Sequence, residues 1–81
     1  MQKYLTDLAR DQEGTIVAIQ AGWGLQQRLR RLGLAEGQVI RKVSDLALGG
    51  PVVVRINRAQ VAIGRGVARR IVVRVGPGAG R

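Results

Sequence analysis

At 81 residues with a formal charge of +9, the chain has room for one domain with a thin core. It contains no Cys and no His, which excludes a disulfide framework, thiolate zinc, iron–sulfur ligation and the usual general base. Leu, Ile and Val number 25, well above the level at which chains stay disordered, and the β-branched excess with 12 glycines favours strands and tight turns over a helical bundle.

Residues 1–13 carry Leu5 and Leu8 at an i, i+3 spacing and read as a short lead-in turn, or as a turn of helix pinned by the two leucines. Residues 14–20, dense in β-branched side chains, read as a strand that the Ala21-Gly22-Trp23-Gly24 cluster ends. Residues 25–32 predict the one convincing helix, with Leu25, Leu29 and Leu32 forming an apolar stripe. Gly33 suits the left-handed position after that helix, with Leu34 returning to Leu29 in a Schellman closure. Arg30 and Arg31 complement the negative end of the helix dipole. Trp23 is expected to fold over the helix entry as core cover, with a binding anchor as the less favoured reading.

Residues 38–44 read as a strand with mixed facing, followed by a loop at 45–50. Pro51 suits a strand start, and Val52, Val54 and Ile56 alternate as a buried face. The chain turns at Asn57-Arg58, after which Val61 and Ile63 continue the buried pattern. A short helical turn is expected near 65–69, then a strand with Ile71, Val73 and Val75 on one face. Residues 76–81, rich in Gly and Pro, read as a disordered tail, leaving 1–75 as a single domain. Five short strands around one helix predict a mainly β protein, a small closed or nearly closed barrel whose closure would remove exposed edges.

The chemistry-bearing residues are few. Asp11 and Glu13 sit in a predicted surface loop without histidine support, so a solvated turn is favoured over a hard-cation site. Gly22-Trp23-Gly24 and Gly64-Arg65-Gly66 lack the third glycine of a dinucleotide fingerprint, and no Walker A is present. No hydroxyl has a base to activate it, so no enzyme is expected. No apolar run approaches a membrane span, and the chain is expected to be soluble and intracellular. The charge points to an acidic partner. Arg28, Arg30 and Arg31, with Arg65, Arg69 and Arg70, read either as two phosphate-binding clusters or as solubilising charge. Only Tyr4 and Trp23 are aromatic, too few for the stacking platform of single-strand nucleic-acid binders.

The run Arg28-Leu29-Arg30-Arg31-Leu32-Gly33-Leu34-Ala35-Glu36-Gly37-Gln38-Val39-Ile40 resembles the RLxxLGLxPGxxV core of the FeoA family, accessory proteins of bacterial ferrous iron uptake. The resemblance continues through Gly49-Gly50-Pro51-Val52, Val61-Ala62-Ile63, Ala68 and Ile71-Val72-Val73, and spans roughly residues 4–75. Arg10-Asp11 replaces the family's usual Pro-Gly, and Glu36 its Pro before the turn glycine. The resemblance implies an SH3-like barrel that is not an enzyme and acts in the cytoplasm by contact with a FeoB-type membrane GTPase that carries Fe(II). The family is associated with transition metals. Without His or Cys no first-shell ligand set is evident here, so only the iron context carries over, and a regulator binding metal through Asp or Glu ranks third. The expected contact surface is a groove between the helix at 25–32 and the strands flanking Gly49-Gly50-Pro51. Trp23, Leu25, Leu46 and Leu48 would be its apolar contacts, with capping of the barrel mouth the alternative for the last two. Arg28, Arg30 and Arg31 would hold the domain near an acidic GTPase face or an anionic membrane surface. The alternative function is a basic small-barrel nucleic-acid-binding module. Self-association has no signal in the sequence either way.

Overall fold

The computed structural model describes residues 1–45 and 49–76. Six antiparallel strands form one sheet: β1 (Gln2–Tyr4), β2 (Glu13–Ile19), β3 (Val39–Asp45), β4 (Val52–Ile56), β5 (Ala59–Ile63) and β6 (Ile71–Arg74). Their spatial order is β1-β6-β2-β3-β4-β5. Helix α1 (Trp23–Arg31) joins β2 to β3, and the one-turn α2 (Arg65–Ala68) joins β5 to β6.

All five expected strands are present, and residues read as a lead-in turn add a sixth. Gln2, Lys3 and Tyr4 pair with Arg74, Val73 and Val72. A 3₁₀ turn at Leu5–Asp7 follows, and it buries Leu5 and Leu8 as the i, i+3 spacing predicts. Asp45, assigned to a loop by sequence, is the last residue of β3. The expected leucines at 46 and 48, and the tail from 77, lie outside the described residues. Among the described residues β1 and β5 are the two ends of the sheet and do not pair with each other. Barrel closure therefore does not remove the edges as the sequence reading expected.

Two register slips explain the irregular facing of β2 and β3. Between Ile16 and Ala18 the β2 ladder shifts by one residue, so Ile16 and Ile19 both reach the core. The β3 ladder shifts between Lys42 and Ser44. Such bulges increase twist and bend a sheet around its contents. Strands β4 and β6 keep strict alternation and bury Val52, Val54 and Ile56, then Ile71 and Val73. Leu29 and Leu34 close the core from the helix side, and Ala68 does so from α2.

Helix α1 begins two residues earlier than its stripe suggested, and Leu32 is its C-cap instead of its last turn. The termination is as expected. Gly33 has φ 90°, its N–H donates to the Arg30 carbonyl at 2.9 Å, and the Leu34 N–H donates to Leu29 at 2.9 Å. Those two bonds make the Schellman closure. At the other end, the Gln26 amide donates to the carbonyls of Ala21 at 2.8 Å and Ile19 at 3.3 Å. A side chain from the first turn of α1 thus anchors the helix to the end of β2.

Candidate interaction surface

The helix carries two interleaved sets of residues at i, i+4, i+7 spacing: 25, 29, 32 and 23, 27, 30. Residues so spaced share a face, so the two sets point in opposite directions. Leu29 is buried and Leu25 packs half-buried against the core, while Leu32, at the cap, is 50% exposed. The other set faces outward. Trp23 is 78% exposed, which corrects the expectation that it covers the core. Its position, one residue after the Gly22 N-cap and on the far face from Leu29, leaves the indole nothing to cover.

On the inner face α1 borders a cleft of about 170 Å³. One wall is Leu25, Arg28, Leu29 and Leu32, and the other is Ala62, Ile63, Gly64 and Val67 from the end of β5 and from α2. Among the described residues the strands flanking Gly49-Gly50-Pro51 contribute nothing to this cleft, whose second wall comes from β5 and α2. Of the residues singled out by sequence, Leu25 and Arg28 line this cleft. Trp23, Arg30 and Arg31 do not. Leu46 and Leu48 lie outside the described residues. Sequence reasoning missed Ala62, Gly64 and Val67 as cleft residues, because nothing local marks them and only chain folding brings them opposite α1. Leu32 had a signal, being the last member of a stripe that the helix cap cuts short.

The electrostatics favour an acidic counterpart. Arg28, Arg30 and Arg31 are exposed, and none forms a salt bridge among the described residues. No carboxylate lines the cleft. Two of the five acids are engaged elsewhere: Glu13 pairs with Arg41 at 2.8 Å, and Asp45 pairs with Lys42 at 2.6 Å and with Arg65. Arg41 also donates to the Asp11 carbonyl at 3.2 Å, so a guanidinium organises the turn at Asp11 together with Glu13, which is the first residue of β2 and not part of a loop as the sequence suggests. Among the described residues no three of His, Cys, Asp and Glu gather to hold a metal ion. Among the described residues no helix is long and apolar enough to cross a membrane. Another groove, of about 520 Å³, runs beside β1, lined by Tyr4, Asp7 and Gln20 among others, and includes none of the predicted contact residues.

A small antiparallel sheet with two short helices and an apolar cleft edged by an arginine defines a domain of the SH3-like kind. The chain belongs to the FeoA domain family, whose model matches residues 3–75. It is 35% identical over 71 residues to a candidate Fe(2+) transport protein A of Methanocaldococcus jannaschii, covering 86% of this chain and 84% of that one. An iron uptake regulatory protein, FeoA, known from a crystal structure, superimposes with a TM-score of 0.85 at 30% identity, covering 91% of this chain and 97% of its own. Stenotrophomonas maltophilia FeoA complexed with zinc, a procaryotic SH3 domain protein, matches with a TM-score of 0.75 at 26% identity over 89% of each chain.

Proposed function

We propose that this protein is a cytoplasmic accessory of ferrous iron uptake that regulates a FeoB-type membrane GTPase by direct contact. Fe(II) is then the cargo of the partner, and no step is assigned to a metal on this chain. The observation that carries the reading is the α1 cleft, where Leu25 and Leu32 stand beside the unpaired Arg28, in a domain of the FeoA family. Apolar anchors with a basic rim suit a partner face that is apolar at its centre and acidic around it. Held on such a partner, the other arginines would lie near the inner membrane surface, where each cation contributes about 1 kcal/mol.

The test is affinity co-purification of the tagged chain from native membranes at moderate salt, with partners identified by mass spectrometry. Recovery of a large iron-transport GTPase supports the reading. Recovery of ribosomes or RNA, lost steeply as salt rises, replaces it with the nucleic-acid-binding alternative.

A further inference from the structure

The two ends of the sheet are protected unequally. At one end β1 is three residues long and contains Lys3, which are two of the devices that discourage strand pairing at an edge. At the other end β5 runs for five residues, Ala59-Gln60-Val61-Ala62-Ile63, with neither a charge nor a proline. Among the described residues its one strand partner is β4, in a register that runs from Ile56–Ala59 to Val52–Ile63 without a slip. Every second N–H and C=O of β5 therefore points away from the sheet. Ala59, Gln60 and Ala62 are exposed along it. The same edge runs directly into the cleft, since Ala62 and Ile63 form part of its wall.

We propose that the outer edge of β5 accepts an extended acidic and apolar segment of a protein partner as a seventh strand. This deepens, and rests on, the reading of the cleft as the partner site. Backbone pairing to β5 would fix the segment, and its alternate side chains would turn toward Leu25 and Leu32. The charge decides between occupants. A second copy would bring another +9 surface against Arg28, whereas an acidic segment meets a cleft with an arginine and no carboxylate.

Binding of the full chain to a synthetic peptide alternating Val with Glu, measured by calorimetry, tests this. Two further peptides carry N-methyl groups at only odd or only even positions. In an added strand only every second N–H of the peptide faces β5, so one methylated peptide should bind about tenfold or more weakly while the other keeps its affinity. Ala62→Glu, placing a like charge on the edge, should weaken the unmodified peptide by about tenfold as well, with little change in melting temperature. Equal affinity for both methylated peptides overturns strand addition. So does the absence of peptide binding. A dimer of the native chain that Ala62→Glu dissociates, without peptide binding, would give the edge to a second copy instead. The two proposals also fail separately. If methylation position makes no difference and Ala62→Glu still recovers the GTPase from membranes, the edge proposal falls and the accessory role stands. If the methylation asymmetry holds and no GTPase is recovered, the accessory role falls and the edge site stands.

Discussion

The Lys42 ammonium lies 2.6 Å from the Asp45 carboxylate, three residues along β3, although Lys42 is only 2% exposed. Its other two protons go to the carbonyls of Leu8 at 2.7 Å and Thr6 at 3.1 Å. All three ammonium donors are thus used, which is what burial of a lysine demands. The second oxygen of Asp45 accepts from Arg65 at the start of α2. One buried charge therefore ties the N-terminal turn to β3, and through Asp45 to α2.

That arrangement sets a pH dependence. The hydrogen bond from Lys42, then that from Arg65, holds the Asp45 carboxyl below its ordinary value of 3.8. A carboxyl lowered in the folded state contributes its full stability above its unfolded value and loses it as pH falls through the folded one. The gap in melting temperature between the native chain and Asp45→Asn should stay constant from neutral pH to about pH 4.5 and narrow as the pH falls further. A gap that persists unchanged at the acid end would show that Asp45 acts by packing alone.

Removing the cation is a harsher change. Lys42→Met keeps most of the volume but leaves the Thr6 and Leu8 carbonyls without their donor and Asp45 with Arg65 alone. Urea denaturation should show a loss of about 2–4 kcal/mol, the range for orphaned buried acceptors and a broken buried pair. Unchanged stability would mean that the apolar replacement offsets both penalties.

Two glycines should respond with opposite signs. Gly33 ends α1 at φ 90°, and an added Cβ would stand 3.4 Å from the Ile56 Cγ2, so Gly33→Ala should cost about 1–2 kcal/mol. Gly66, inside α2, has open space around its Cα and no positive φ, so Gly66→Ala should stabilise by about 0.5–1 kcal/mol. Paired thermal melts of the two variants check both signs.

The opposed faces of α1 predict which charges matter for a partner. Arg28 lines the cleft and Arg30 shares the outer face with Trp23, so Arg28→Glu should lower recovery of the GTPase far more than Arg30→Glu, with neither moving the melting temperature much. Trp23, the single tryptophan, should emit like a water-exposed indole and be fully accessible to iodide. Trp23→Ala should change stability by less than about 0.5 kcal/mol, as surface substitutions do. An emission shift on partner binding would place the partner on the outer face instead.

Local chemistry carries much of this fold. The closure of α1 needs only Gly33 and the leucines around it, because left-handed backbone and i, i+5 hydrogen bonds lie within a few residues. The alternation in β4 and β6 is equally legible, since period 2 is a property of the strand itself. The length of α1 was not: Trp23 and Gly24 look like breakers, yet Gln26 reaches back to Ala21 and Ile19 and extends the helix over them. Strand β1 was invisible because three polar or aromatic residues become a strand only against β6, some seventy positions away. Lys42 offered one clue, standing two residues after Ile40 on the core face of β3.

By itself the sequence determined the fold class, the core stripe of leucines and valines, the helix end and the family, because each depends on side-chain type at short spacing. The tertiary structure decided where the cleft lies, which arginine enters it, which edge of the sheet stays open and how a lysine comes to be buried. Those depend on residues remote in sequence, such as Leu25 with Val67 and Lys42 with Leu8, and their meeting is set by the order in which strands pair around one core.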